Sequence, residues 1–267
     1  MGQRTAVVCI ARNEDRTVRE WIDYHLKLGF DRIFMYQNDW TCEVEHERLT
    51  KLRFDGRAVQ VQSYNHWLGS ENRKDFDHAA FIDCDEFIVL HKHKTISDFL
   101  SEFDHPVGVS PNWVVFSGGG QESPYPNPES LIKRFTFRGE KPDKHVKTIL
   151  NLRSDAVMHT PHSPNRPTAD TRRNHIQGPF NPDGPTDVIQ LNHYYFKSKL
   201  EWSERVARGK ISMHGTRPVE EWDQNSPNFH DVQDLAALEF FYGDQKPKPT
   251  ATTSSSEKNG AETIDKT

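Results

Sequence analysis

TAVVCIARNEDRTVREWIDYHLKLGFDRIFMYQND, residues 5–39, carries the alternation on which the fold turns. TAVVCIA, residues 5–11, is an apolar run with β-branched members that RNED ends at once, so it reads as a short buried strand. Val18, Trp21, Ile22, His25 and Leu26 then recur at helical spacing. Thr17 and Glu20 are placed as a capping box for that helix, and Gly29 stands where a left-handed residue closes one. RIFMY, residues 32–36, is the next strand. Strand, helix, strand is a βαβ unit, whose strands should be parallel neighbours joined by a right-handed crossover.

Working outward, AVQVQSY at 58–64 reads as a third strand and AAFIDCDEF at 79–87 as a fourth, so the first half predicts a doubly wound α/β sheet. A short helix ISDFLSEF, a strand PVGVSPNWVVF and a Gly- and Pro-rich loop SGGGQESPYPNP follow. HVKTILNLRSDAVMH alternates like a hairpin, and residues 160–185 are too polar and Pro-rich for regular structure. DVIQLNHYYF is a late strand; SKLEWSERVARG is a helix opened by a Ser198/Glu201 capping box and closed by Gly209. DVQDLAALEFFYG predicts a last helix, and residues 246–267 lack the apolar content to order themselves.

Composition narrows the classes of function. The chain has 267 residues, 34% of them apolar and 11% aromatic, enough to build a real core. A formal charge of −5 offers no general field for nucleic acid. Three cysteines make neither a paired disulfide framework nor a metal knuckle, which fits a reducing compartment. No run approaches the roughly 20 apolar residues of a membrane span, no signal peptide opens the chain, and Ala6 stands where myristoylation of Gly2 wants Ser or Thr. The expectation is a soluble, cytoplasmic protein without a transmembrane segment. GxxxxGK[ST], GxGxxG and HExxH are all absent, against a P-loop enzyme, a dinucleotide dehydrogenase and a zincin respectively.

Three acids, Asp83, Asp85 and Glu86, lie inside HAAFIDCDEFIVL, an apolar run fit for a buried strand. Burying carboxylates costs several kcal/mol unless cations or strong donors meet them. Residues two apart on an extended segment share a side, so Asp83 and Asp85 can share one hard cation while Cys84 faces the core. Such an ion completes its shell with water and phosphate oxygens, the usual way to hold a nucleoside diphosphate. Asn13 and Glu14 follow the first strand and Asn38 and Asp39 the second, on the rim where ligands of open α/β sheets bind. His193 in LNHYYF, on a strand that can return to that rim, is a candidate third metal ligand. His159 and His162 lie in a loop and make no recognisable metal motif. SGGGQ, after Trp113 and Phe116, suits an aromatic, flexible acceptor rim or a plain surface loop.

AVVCIARNEDRTVREWIDYHLKLGFDRIFMYQND, FIDCDEF, NWVVFSGGG, VKTILNLR and NHYYFKSKLEWSERVARGK occur in the order and spacing of glycosyltransferase family 92 and the related glycosyltransferase 2-like enzymes. The chain resembles them from about Thr5 to Lys210. The resemblance implies a GT-A fold: a mixed, mainly parallel, Rossmann-like sheet flanked by helices in one domain, residues 1–245. Residues 1–104 would then be the nucleotide-sugar half and 105–245 the acceptor half, with the tail 246–267 disordered. It implies a sugar-nucleotide donor of the UDP-linked kind, Mn2+ or Mg2+ bound by the acidic motif, and a glycan or other hydroxyl acceptor. By position, Arg12, Asn13 and Glu14 would line the nucleotide pocket and Asp39 approach base or ribose. Asp83 would face ribose and metal-bound water, and Asp85 would bind the metal. Lys147 and Lys197 belong near phosphate or acceptor. Asp187 and Glu122 are candidate catalytic bases by location, and inversion is the expected outcome.

The family has a longer connection before the acidic strand, with a helix beginning near a Gln; here residues 62–78 alone separate the third strand from the fourth. That predicts a missing donor-site wall, a mobile loop over 65–78, weak donor affinity and a high ratio of hydrolysis to transfer. Two other readings stay open. A nucleotidyltransferase uses similar metal chemistry but wants a Gly-rich phosphate loop and a Lys soon after the first strand. A sugar- or nucleotide-binding pseudoenzyme would keep the fold without the catalysis.

Overall fold

The computed structural model describes residues 2–182, 184–210, 215 and 217–243; the tail expected at 246–267 lies outside them. In chain order the first half comprises β1 (Thr5–Ala11), α1 (Val18–Lys27), β2 (Arg32–Gln37), β3 (Leu49–Arg53), α2 (Gln60–Leu68), a 3-10 turn at Glu71–Asp75, β4 (His78–Phe81), β5 (Glu86–Leu90) and α3 (Ile96–Glu102). The second comprises β6 (Gly108–Val109), β7 (Trp113–Val115), α4 (Leu131–Arg134), β8 (Phe137–Arg138), β9 (Thr148–Asn151), β10 (Thr168–Ala169), β11 (His175–Ile176) and β12 (Ile189–His193). It ends with α5 (Lys199–Arg208), α6 (Glu221–Asn225), a 3-10 turn at Ser226–Phe229, β13 (Val232–Gln233) and α7 (Ala236–Tyr242).

The main sheet runs β11-β10-β6-β9-β4-β1-β2-β3. β1 is parallel to β2 and β4, and β3 extends the parallel set, while β9 lies antiparallel between β4 and β6. All of β1 is buried, as a strand covered on both faces must be. Its alternate side chains feed two cores. Val7, Cys9 and Ala11 join the α1 side chains Val18, Trp21 and Ile22, and Ala6, Val8 and Ile10 join Tyr64, Trp67 and Leu68 of α2. The fold is therefore mixed α/β, with a large, mostly parallel sheet and helices on both faces. No helix among the described residues is long and apolar enough to cross a membrane.

A second sheet, β5-β12-β7, stands beside the first, and β13 pairs separately with β8. Helix α1 ties the two larger sheets together: Trp21 Nε1 donates to the Glu86 carbonyl at 2.8 Å and the Tyr24 hydroxyl to that of Ile88 at 2.9 Å. Both acceptors lie on β5. Buried His25 gives Nδ1 to the Trp21 carbonyl at 2.8 Å, and burial pushes its pKa down to about 3, so it stays neutral in the core.

Several expectations are corrected. AVQVQSY is not the third strand: β3 lies earlier, at Leu49–Arg53, and Gln60–Leu68 is helix. Gln60, Ser63, Tyr64, Trp67 and Leu68 are its buried residues, an i, i+3, i+4, i+7, i+8 pattern that a reading ending at residue 64 truncates to alternation. The helix beginning at a Gln is thus present, and the connection from β3 to β4 runs over residues 54–77. Nor is 65–78 an undocked loop: Trp67, Leu68 and Phe76 are buried, and Asn65 makes paired bonds of 2.9 Å with the Met158 backbone.

AAFIDCDEF also divides. β4 ends at Phe81 and β5 begins at Glu86 in the other sheet, so the acids sit in the turn between sheets rather than on one extended strand. PVGVSPNWVVF likewise splits into β6 and β7 in different sheets, and the expected hairpin reduces to the single strand β9. The Ser198/Glu201 capping box forms. The one at Thr17 does not: Glu20 instead accepts from Ser130 and the backbone of Leu131, capping α4 across the fold.

Candidate active site

The loops leaving β1, β2 and β3 are bound to one another by Arg12. Its guanidinium donates to the carbonyls of Asn38 (3.3 Å) and Gly56 (3.1 Å) and to Asp39 at 2.5 Å. Buried Asn38 gives Nδ2 to the carbonyls of Phe54 and Gly56. Asn13 and Asp39 have φ of 54° and 47°, a left-handed conformation that Asn and Asp tolerate better than other non-glycine residues. Asp39 is left with half its side chain exposed at the rim. Glu14 faces inward, 2.9 Å from Lys197 Nζ and 2.7 Å from Arg208. Burial pushes its carboxyl up, but the two cations more than reverse this and hold it ionised below the usual range.

In the turn between β4 and β5 the two aspartates part company. Asp83 Oδ1 accepts from Gln60 Nε2 at 2.6 Å and its Oδ2 lies 3.0 Å from Lys147 Nζ. The register explains Lys147: Thr148 of β9 pairs with Phe81, so the preceding residue arrives just past the end of β4. Asp85 Oδ2 lies 2.9 Å from Arg205, and Oδ1 lies 3.6 Å from His193 Nε2. Here too register is the cause, because His193 pairs with Glu86 across β5 and β12. Burial raises both aspartates' pKa values. Lys147 overturns this for Asp83, and Arg205 foremost does so for Asp85, leaving Asp85 well below the usual range.

Glu86 behaves oppositely. It is fully buried, Oε2 accepts the Asp83 amide at 2.8 Å, Oε1 has no partner, and burial outweighs Lys147 at 3.7 Å to lift its pKa well above normal. Its carboxyl braces the turn through that amide bond.

A cavity of about 80 Å3 opens here between Asp83, Asp85, Gln60, Arg205, Arg208 and Arg217. Arg205 and Arg208, three apart on α5, reach one side of it as helix geometry requires. A larger cavity of about 430 Å3 adjoins it, sharing Lys210 and Arg217. Trp113, Tyr195 and Phe229 supply aromatic walls, and Asp143, His145, His162, His193 and Glu221 are among its titratable groups. A third cleft, about 350 Å3, lies between the loop after β1 and α5, and the ion pairs Glu14–Lys197 and Arg16–Glu204 line it.

Of the residues singled out from sequence, Arg12, Asn13, Glu14, Asp83, Asp85, Lys147, Lys197 and His193 are brought to this region, with Asp39 at its edge. Asp187 and Glu122 are not. Asp187 precedes β12 at the end opposite His193 and is exposed, 3.2 Å from Lys92. Glu122 is exposed and meets α5 through its carbonyl, which accepts the Leu200 amide. Gln60, Arg205, Arg208 and the pair Asp143/His145 escape a sequence reading. The i, i+3 arginines closing the last turn of α5 were the available signal for two of them.

Whether this set fits a divalent ion is decided at Asp85 and His193. Both ring nitrogens of buried His193 lack hydrogen-bond partners, and burial keeps the imidazole neutral, the state in which it ligates. At 3.6 Å, Asp85 Oδ1 and His193 Nε2 are spaced as two donors to one ion. No group of three His, Cys, Asp or Glu side chains suited to a metal occurs among the described residues, so the fit is a two-donor one that leaves positions for ligand oxygens. Asp83, committed to Lys147 and Gln60, is not the third donor in this arrangement.

No protein-family model matches the chain. Over 108 residues, 36% of this chain, it is 30% identical to a glycosyltransferase family 92 protein of Oryza sativa subsp. japonica, and it spans 18% of that protein's length. The crystal structure of HddC from Yersinia pseudotuberculosis aligns over 91% of this chain and 97% of its own at 9% identity and a TM-score of 0.29, a likeness too slight to carry argument. The chain is thus similar, over about a third of its length, to a glycosyltransferase family 92 protein.

Proposed function

We propose that the protein is a metal-dependent glycosyltransferase of GT-A type that moves a sugar from a nucleoside-diphosphate donor, most simply a UDP-sugar, to a hydroxyl acceptor. The observation that carries this reading is the turn at the carboxyl end of β4, where the carboxylate of Asp85 faces a cavity rimmed by Arg205, Arg208 and Arg217 and lies 3.6 Å from the imidazole of His193, which lines the adjoining cavity. The similarity to a family 92 glycosyltransferase supports it. Lys147, Lys197, Arg205, Arg208 and Arg217 stand around three ionised carboxylates, Glu14, Asp83 and Asp85, a cationic excess suited to a diphosphate.

Asp85 and His193 would hold Mn2+ or Mg2+, which when bound stabilises negative charge on the leaving diphosphate. The chain's own part is electrostatic and positional. The arginines of α5 face the same leaving charge, and Asp83, fixed by Gln60 and Lys147, offers its exposed edge to a ribose hydroxyl. Asp39 and the Arg12 bracket shape the rim for the base.

Titration calorimetry with UDP in the presence and absence of MnCl2 tests the reading. Binding should require Mn2+ and weaken at least tenfold in His193→Ala. Equal UDP affinity with and without Mn2+ would remove the metal from the proposal, and no binding of any nucleoside diphosphate would remove the transferase.

A further inference from the structure

The aromatic cavity beside the acidic turn contains a second piece of chemistry. His145 Nδ1 lies 2.6 Å from Asp143 Oδ1, and the same oxygen accepts the His145 backbone amide at 2.8 Å. The imidazole is fixed on two further sides. Trp113 stacks on it with centroids 4.8 Å apart and planes at 28°, and Phe180 meets it edge-on at 4.8 Å. An ionised carboxylate only accepts, so Nδ1 carries the proton and Nε2 the lone pair, the tautomer of a general base held by an orienting acid.

Two other histidines surround Trp113, and neither is suited to the same work. His162 gives Nδ1 to the Val146 carbonyl at 3.0 Å, and burial beside Lys147 lowers its pKa to about 3, too weak a base. His193 lines the same cavity, but the carboxylate nearest to it, Asp85, lies 3.6 Å away, beyond a hydrogen bond. Among the three, His145 has the carboxylate within bonding distance that an imidazolium needs. At about 430 Å3 the cavity is in the range of small-molecule sites, and Trp113, Tyr195 and Phe229 give it the partly aromatic lining that sugar sites use.

We propose that this cavity receives the acceptor sugar and that His145, positioned by Asp143, takes the proton of its attacking hydroxyl. The proposal rests on the transferase reading above. In the step, the acceptor oxygen forms a bond to the anomeric carbon and the bond from that carbon to the diphosphate oxygen breaks. The bonding pair leaves with the nucleoside diphosphate, and the hydroxyl proton passes to His145 Nε2 and then to solvent, to which this ring is partly open.

The test uses the full chain, MnCl2 and UDP-glucose, UDP-galactose and UDP-N-acetylglucosamine, with water as acceptor and UDP release as the readout. His145→Gln can still donate to Asp143 but cannot take a proton; His145→Ala leaves room for added imidazole. Both should lose about 100-fold or more in kcat, the usual scale for a general base, with UDP affinity within twofold of the parent. Imidazole should restore part of the rate to His145→Ala. Asp143→Asn should lose about tenfold or more, and Asp143→Glu should recover part of it. Unchanged turnover in His145→Gln, or a loss in His145→Ala that imidazole does not repair, overturns the dyad while leaving UDP binding and the transferase reading intact. Absence of turnover by the parent with every donor overturns both.

Discussion

Asp85 exchanges the hydration it loses on burial for Arg205 at 2.9 Å, and the guanidinium in turn donates to the Tyr195 carbonyl at 2.7 Å and lies over the Tyr195 ring. Such a pair is costly to break from one side, because the remaining charge is left buried and unpaired. Asp85→Asn should therefore destabilise the protein by about 3–5 kcal/mol as well as weaken UDP–Mn2+ binding. Asp85→Asn/Arg205→Met should regain part of that stability; urea unfolding of the two variants checks it, and equal midpoints for parent and Asp85→Asn would show the pair to be inconsequential. The acids of DCDE were legible in the sequence because carboxylates in an apolar run demand an explanation. Of their partners, His193 and Lys147 were singled out only as candidates and Arg205 not at all, since all three arrive from more than 60 residues away through strand register and helix phase.

At the scale of elements, α2 decides the shape of the site, because it brings Gln60 and Tyr64 to Asp83 while its other residues cover the sheet. Trp67 is fully buried against Phe34 and Phe81, with centroids at 5.3 and 6.1 Å. Trp67→Ala should cost about 3–5 kcal/mol, measured by chemical denaturation. In hydrogen exchange, amides of residues 64–68, bonded within the helix, should be protected in the free protein; rapid exchange there would mean that α2 is not docked in solution. Helix and strand were hard to tell apart over 58–64 because V-Q-V-Q alternates, whereas the helical period appears only when Trp67 and Leu68 are counted. The opposite case is α5, whose Ser198/Glu201 box is a purely local device and so was readable from four residues.

For the whole molecule, two sets of buried carboxylates pull stability in opposite directions with pH. Glu201, bidentate with Arg134 at 2.7 and 2.9 Å, has its pKa brought down to about 2 against the effect of burial. A depressed carboxylate stabilises fully above its unfolded value of 4.5 and loses that contribution as pH falls toward 2, up to about 3 kcal/mol for this group. Glu14, Asp83 and Asp85 act in the same direction. Glu86 and Glu20 are raised, chiefly by burial, so their contribution is complete below 4.5 and is lost as pH rises through their folded values. The urea midpoint should fall steeply below about pH 4.5 and decline more gently above it. Glu86→Gln, which can keep the Asp83 amide bond, should flatten the upper slope; an unchanged slope would show that Glu86 is ionised in the folded protein.

The βαβ opening, the parallel sheet grown from it and the concentration of polar chemistry where strands end could be read from the residues alone, because these follow from periods of two and 3.6 residues and from the cost of burying charge. The sequence also singled out Asp85 and His193. That β4 and β5 belong to different sheets emerges only from the packed fold, and it turns an apparent Asp-x-Asp pair on one strand into two carboxylates with separate partners. The fold likewise removed Asp187 and Glu122 from the site and put Asp143 and His145 beside it. The reason is that local patterns record which face of an element is buried, whereas the meeting of two side chains depends on the register and crossing of elements whose contact is not written in either one.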